Sequence, residues 1–234
     1  MDWIKAKVEK IHPLSNTIVQ LMIHPYQYVA YQAGQYLQLR FGDYQAYFSI
    51  ANAPLGAGTY ELHIRHDHNH LFTKRLLEHV QQQGEIEVQV PLGECHLQRL
   101  DSHRPIIFIA GGTGFAPIKA MIEGLLFVDD LRQFECYWGA KAASDLYWQM
   151  PLQQWKRNVP RLTHLLMLTG AKSYTLIEEV LHRHAHNLSD YQFVIAGPFD
   201  MVYDYRDQLL SHQVLKQHIY SDAFAFESKA SSGS

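Results

Sequence analysis

The hydrophobic period of the chain changes near residue 102. Before it, apolar positions come in short β-type runs: "WIKAKVEKI", "NTIVQLMIH", "QYLQLRF", "AYFSIA", "YELHIR" and "EIEVQV". Turn signals separate them at Pro13, Asn16, Gly42–Asp43 and Pro54 through Gly58. One segment has helical spacing instead. In "LFTKRLLEHVQQQ", Leu71, Phe72, Leu76, Leu77 and Val80 line one face, and Gly84 supplies a C-terminal cap. Many short antiparallel strands with one helix predict a small closed barrel.

Beyond "LDSHRP" (100–105) strand-like and helix-like runs alternate. "IIFIA" leads to a helix over 116–127, "FECYWGA" to one near 146–157, "RLTHLLML" to one over 175–186 and "YQFVIAG" to one over 199–212. "HIYSDAFAF" reads as a last strand. Such alternation predicts a parallel sheet covered by helices on both faces. The expected division is a barrel over 1–101 and an α/β domain over 102–227, with the small, polar residues 228–234 as a mobile tail.

Composition narrows the class. With 47% hydrophobic and 18% charged residues, the 234-residue chain reads as soluble and globular. A formal charge of −3 provides no basic field to draw nucleic acid or an anionic membrane. The opening "MDWIKAKVEK" alternates like a strand rather than a targeting peptide, and no apolar run approaches the roughly 20 residues of a membrane span. The expectation is a cytoplasmic protein without nucleic-acid or membrane partners. Cys95 and Cys136, the only two cysteines, are expected to be buried and reduced, and cannot supply the about four thiolates of a plant-type iron–sulfur cluster.

Candidate chemistry sits in the second half. "AGGTGFAP" (110–117) lies between an apolar strand and a helix, so it falls at the carboxyl edge of a parallel sheet, where ligands bind. Gly111, Gly112 and Gly114 permit positive φ and close backbone approach. Thr113 adds a hydroxyl, and Pro117 suits a first helical turn. A tight βα turn would need no more than this. The free N–H groups and positive end of the following helix also make the loop a cradle for a pyrophosphate or ribose. "IAGPFDM" (195–201) repeats the arrangement with Gly197 and Pro198, and two such loops at one sheet edge favour the nucleotide reading.

The ordered set "AGQYLQL" (33–39), "YFSIAN" (47–52), "YELHIR" (60–65), "VPLGE" (90–94), "IAGGTGFAP" (109–117), "YWGA" (137–140), "IAGPFDM" (195–201) and "SDAFAF" (221–226) resembles the ferredoxin–NADP⁺ reductase superfamily, and within it the small NAD(P)H:flavin oxidoreductases. The resemblance covers nearly the whole chain. It implies an antiparallel β-barrel flavin-binding domain followed by a parallel-sheet α/β nucleotide-binding domain. It also implies hydride transfer from NADH or NADPH to riboflavin, FMN or FAD, with Ser49 hydrogen-bonding near N5 of the ring as the catalytic residue. Phe48 and Ile50 would line the ring, with main-chain groups of 48–51 (Tyr47 and Ala51 flanking), and His63, Ile64 and Arg65 would add contacts from the neighbouring strand. Gly111, Gly112, Thr113, Gly114, Gly197, Pro198 and Met201 would hold the nicotinamide nucleotide, and Phe226 would lie over the flavin face.

Three departures qualify this. The family's Arg-x-Tyr/Phe-Ser reads Ala46-Tyr47-Phe48-Ser49 here. Losing a charge-assisted hydrogen bond costs about 1.5–3 kcal/mol, roughly 10- to 150-fold in affinity, so flavin retention is expected to be weak. Arg65, Lys74 and Arg75 are candidate substitutes. Ala196 stands where many relatives have a cysteine beside the nicotinamide. Lys141 stands where an arginine is common, able to meet a 2′-phosphate or a ribose hydroxyl. Separately, "HIRHDHNH" gathers His63, His66, His68 and His70 around Asp67, a spacing compatible with metal, but it reads as a polar loop and no metal site is assigned. The leading expectation is a reductase that releases reduced free flavin, with a flavin-dependent monooxygenase or other acceptor downstream. The alternatives are an FAD-retaining reductase serving an oxygenase or iron–sulfur protein, and a non-catalytic nucleotide- or metal-sensing module.

Overall fold

The computed structural model describes residues 2–66, 71–169 and 175–230, with side chains through 227. The chain divides into two compact units, Met1–Leu97 with Ala116–Asp129, and Gln98–Phe115 with Asp130–Ser234. The helix after the glycine turn, expected in the second domain, therefore groups with the first.

The first unit is an antiparallel six-stranded sheet. Its strands are β1 (Ile4–Pro13), β2 (Ile18–Pro25), β3 (Tyr36–Phe41), β4 (Tyr44–Ser49), β5 (Tyr60–Arg65) and β6 (Glu85–Leu92), in the order β4-β3-β6-β1-β2-β5. The two edge strands meet where Ile50 bridges Leu62 and the Ala51 N–H donates to the Glu61 carbonyl at 2.7 Å, closing the sheet on itself at that point. Strict alternation sends Leu37, Leu39 and Phe41 of β3, and Ile86, Val88 and Val90 of β6, into one core. Each such side chain contributes about 1.5–3 kcal/mol when fully buried. Helix α1 (Leu71–Gln83) adds Leu76 and Val80 to that core, with Phe72 and Leu77 packed against it. It ends at Gly84, whose φ of +71° suits glycine and whose N–H donates to the Val80 carbonyl at 2.9 Å. Helix α2 (Phe115–Phe127) packs Ala120 against Ala33 and Ala53.

The second unit holds a parallel five-stranded sheet: β7 (Ile106–Gly111), β8 (Phe134–Ala140), β9 (Leu162–Leu168), β10 (Gln192–Ala196) and β11 (Ile219–Tyr220), in the order β11-β10-β7-β8-β9. Helix α3 is Gln149–Asn158, α4 Leu176–Arg183, α5 Phe199–Ser211 and α6 Phe224–Ala230. Helix α4 starts on a capping box in which Thr175 and Glu178 satisfy each other's main-chain N–H. Leu176, Ile177 and Val180 of α4 and Val202, Tyr205 and Leu209 of α5 bury Ile107, Ile109, Phe193 and Ile195 of the sheet.

The carboxyl terminus differs from the expectation. Only Ile219–Tyr220 pairs as a strand, and "SDAFAF" turns into α6. Ser221 drives the turn: its hydroxyl accepts from the Ala223 N–H at 3.3 Å and its carbonyl from the Phe224 N–H at 3.4 Å, while Tyr203 donates its hydroxyl to the Ala223 carbonyl. Residues 228–230, expected in the mobile tail, belong to α6; 231–234 lie outside the described residues. No helix among the described residues is long and apolar enough to cross a membrane.

Candidate functional site

Strand order locates the nucleotide half of the site. From β7 the chain runs outward through β8 and β9, then returns to add β10 and β11 on the other side. The reversal point therefore lies between β7 and β10, and in an open α/β sheet ligands bind beyond the carboxyl ends of the strands at that point. Gly111–Gly114 follows β7 and Ala196–Gly197 follows β10, with Ala110 in register with Ala196.

The three glycines have different tasks. Gly112, at φ +56°, takes the positive φ. Gly114 has a spatial role: a Cβ there would lie 2.2 Å from the Ala196 carbonyl oxygen and 2.7 Å from the Gly197 nitrogen. On Gly111 a Cβ would lie 2.7 Å from Met201 Sδ and 3.1 Å from Pro198 Cδ, and on Gly197 it would lie 2.6 Å from Met201 Cε. The two loops and Met201 thus form one closely fitted surface beside a half-exposed turn that feeds the N-terminus of α2. Lys141 is exposed, one residue past β8 on the same sheet edge.

An aromatic support holds this turn. Trp138 of β8 donates its indole N–H to the Gly112 carbonyl at 2.9 Å, and Phe115 stacks on Trp138 with ring centroids 4.1 Å apart. Tyr147 closes edge-on against Trp138 at 5.2 Å. The sequence analysis assigned none of the three, although an aromatic directly after the glycine turn and another near a strand's carboxyl end are signals of such a support.

The flavin candidates lie in the first unit. Ser49, the last residue of β4, is half-buried and pairs with Tyr36; Tyr47 is exposed and meets Tyr36 edge-on at 5.8 Å. Phe48 points toward the barrel core, tilted against Phe72. Ile50, expected at the ring, follows Ser49 directly. Its side chain is wholly inside the core, and its N–H donates to the Gln35 carbonyl at 3.0 Å. Ile64 is likewise a core residue, and the His63 side chain is buried against Glu61. Arg65 closes β5, its carbonyl accepting from the Thr73 hydroxyl. Ala46 lies opposite Leu39, and of the candidate substitutes Arg75 pairs with Glu78 on the surface. Phe226 lies on α6, stacked on Phe199 at 5.7 Å.

Directly after Ser49 the first unit carries a buried charge cluster. Lys119 of α2, only 2% exposed, donates to the Ala51 carbonyl at 2.9 Å and to Glu61 at 3.1 Å, and pairs with Glu123 at 2.8 Å. Glu123 accepts the Ala53 N–H at 3.0 Å; Glu61 is also held by His63 and Gln20, each at 2.7 Å. Burial alone would raise the Glu61 carboxyl, but His63, Lys119 and Gln20 outweigh it and bring it down to about 2. Burial pushes the His63 imidazole down, against the pull of Glu61, so it is neutral near pH 7. None of Glu61, Lys119 and Glu123 was singled out from sequence. Asp67, His68 and His70 lie outside the described residues, and among the described residues no group of three or more His, Cys, Asp or Glu is placed to hold a metal.

A parallel sheet with a glycine turn wedged at its reversal point, joined to an antiparallel barrel, defines a two-unit nucleotide-binding oxidoreductase fold. Comparison with known proteins agrees. Residues 108–207 match the oxidoreductase NAD-binding domain. An NAD(P)H-flavin reductase of Aliivibrio fischeri is 30% identical over 95% of this chain and 99% of its own length. A CDP-6-deoxy-L-threo-D-glycero-4-hexulose-3-dehydrase reductase of Yersinia pestis is 30% identical over 88% of this chain, which spans 64% of that relative's length. A solved ferredoxin NADP⁺ reductase of Neisseria gonorrhoeae with bound FAD and NADP has the same fold, with a TM-score of 0.81 at 16% identity over 94% of this chain and 98% of that one. The chain belongs to the NAD(P)H-flavin reductase family.

Proposed function

We propose that this chain transfers a hydride from NADH or NADPH to a weakly held flavin and releases the reduced flavin. The observation that carries the reading is the glycine turn set against Ala196–Gly197 at the β7/β10 reversal point, in a chain that spans nearly all of a flavin reductase relative. When bound, the flavin supplies an electron-accepting N5 for the hydride from C4 of the reduced nicotinamide, and solvent supplies the accompanying proton.

The chain's own residues bind and orient. The N–H groups after Gly112 and the positive end of α2 receive the pyrophosphate. Lys141 meets the ribose or a 2′-phosphate. Met201 and Pro198 offer an apolar floor over the glycines. Ser49 donates its hydroxyl toward the charge that develops on the ring in transfer. Ala46 supplies no cation to a flavin phosphate, which favours riboflavin, the flavin without one, as a substrate that comes and goes. A cytoplasmic setting would supply the reduced nucleotide.

A second reading takes its lead from a relative named as the reductase component of a terephthalate 1,2-dioxygenase: this chain would keep its flavin and pass electrons to a partner protein. The visible spectrum and NAD(P)H oxidation with added riboflavin, FMN or FAD separate the two. A colourless protein that turns over only with added flavin is expected. A yellow protein indifferent to added flavin would move the assignment to the second reading, and a colourless protein without turnover with any flavin would refute both.

A further inference from the structure

The geometry points to Lys119 as a positioning residue that fixes the strand end presenting Ser49, by holding the main chain of residues 51–53 from α2. What that strand end binds rests on the flavin reductase reading; the holding itself does not.

Past Ser49 the chain leaves β4 with a single bridge, at Ile50. The next residues are nevertheless tied down. The Ala51 N–H goes to the Glu61 carbonyl, the Ala51 carbonyl accepts from Lys119, and the Ala53 N–H goes to Glu123. Two of these three ties end on α2. The ammonium that makes them possible is buried, and a buried ammonium is costly unless its donors are met. Three oxygens meet it at 2.8–3.1 Å: a carboxylate of β5, a carboxylate one turn along its own helix, and one main-chain carbonyl.

Core filling alone does not call for this cluster. A methionine would fill the same volume at less electrostatic cost, as apolar replacements of buried ion pairs often do. What a methionine could not do is hold the Ala51 carbonyl or support the carboxylate on Ala53. His63 and Gln20 brace Glu61 from the far side, so the carboxylate cannot swing away from Lys119. The Ala51 oxygen is thus held by a cation whose own position is fixed by two anions. Ser49 is two residues upstream, and a hydroxyl that must point at one ring atom tolerates little drift.

The test uses the full chain with Lys119→Met, Lys119→Arg and Glu123→Ala. Flavin KM, kcat, nucleotide KM and the melting temperature are measured together. Lys119→Met is expected to displace the main-chain groups of 48–51 together with Ser49, and so to raise flavin KM about tenfold or more as well as lower kcat, the scale of loss for a misplaced binding segment, while nucleotide KM stays within about twofold. Lys119→Arg should recover most of the loss. Glu123→Ala removes the more exposed carboxylate, leaves Lys119 its Glu61 partner, and should raise flavin KM severalfold, so it and the arginine variant decide if Lys119→Met does not fold. Variants that melt earlier yet keep wild-type flavin KM and kcat would overturn the proposal. Amide hydrogen exchange at Ala51 and Ala53 needs no flavin. Faster exchange there in Lys119→Met and Glu123→Ala is expected, and unchanged exchange would overturn the proposal whatever the assays show. A wild-type protein inert toward every flavin would instead defeat the reductase reading.

Discussion

Adding one methyl group at Gly114 should cost this protein far more than adding the same group at Gly124. A Cβ on Gly114 would lie 2.2 Å from the Ala196 oxygen and 2.4 Å from its carbonyl carbon, an ångström or more inside ordinary contact, which begins at 3.4 Å. Both atoms are main chain at the end of a parallel strand, so no rotamer change relieves the clash. The turn after β7 or the end of β10 must move by about an ångström. Overpacking of this kind costs about 1–3 kcal/mol in stability. A displacement of about 1 Å at a substrate-holding segment can cost about 10²-fold in rate. On Gly124 the Cβ would meet Leu97 Cδ1 at 2.8 Å, the far end of a side chain that can turn, and alanine gains about 0.5–1 kcal/mol of helix preference there. Steady-state NAD(P)H oxidation at saturating flavin, with thermal melts alongside, reads the contrast. Gly114→Ala should lower kcat/KM for the nucleotide about 10²-fold and Gly124→Ala should change it less than about threefold. Gly114→Ala with wild-type kcat/KM would refute the argument that this glycine exists to let the two loops touch.

Other outcomes follow from the same geometry. Ser49→Ala should lower kcat about 3- to 10-fold with flavin KM little changed, the worth of one hydrogen bond made in the transition state; an unchanged kcat removes Ser49 from the chemistry. Acid should destabilise the protein in two stages. His63 is depressed below 6.5 in the fold, so its contribution is complete above that pH and is lost as pH falls below it, while Glu61, at about 2 against 4.5 unfolded, adds a loss below pH 4.5. Thermal melts from pH 7.5 down to 3.5 should show falling Tm with a steeper limb below 4.5, and a flat profile would show the cluster carries no such linkage. Cys95 and Cys136 are both buried, and burial pushes the Cys136 thiol up to about 12. Neither should react with a disulfide reagent until denaturant is added; a thiol titrated in the native protein would contradict the packing.

Where local pattern and tertiary packing agree, the fold was legible in advance. "FECYWGA" is β8 to the residue and "LFTKRLLEHVQQQ" is α1, because a buried parallel strand and an amphipathic helix each leave an unambiguous period. The glycine turn was legible as a turn at the carboxyl end of a parallel strand, although only Gly112 takes positive φ and the tasks of Gly111 and Gly114 depend on atoms some 85 residues away. "HIYSDAFAF" misled because "AFAF" alternates like a strand, whereas the Ser221 turn redirects the chain and a helix also buries Phe224. The resemblance put Ile50 and His63 among the flavin contacts; that strand closure carries the Ile50 side chain into the core and packs His63 against Glu61 depends on contacts across the sheet that no local pattern shows. Lys119 was the hardest to see. A lysine in "APIKAMIEG" reads as a solvated position, and only the arrival of β5 beneath it turns it into a buried cation.

The grouping of α2 with the barrel bears on modularity. The chain's two units are not two consecutive stretches, so they are not exchangeable cassettes. A gene cut between residues 97 and 98 would yield a barrel fragment without Lys119, leaving the Glu61 carboxylate buried beside a neutral histidine. Breaking a buried pair this way costs about 3–5 kcal/mol, a large share of the roughly 5–15 kcal/mol by which a typical domain is stable. Chimaeras that trade flavin halves between relatives should therefore carry residues 116–129 along with the barrel, and gene fusions that extend this architecture have their natural joints at the chain's ends rather than at its middle.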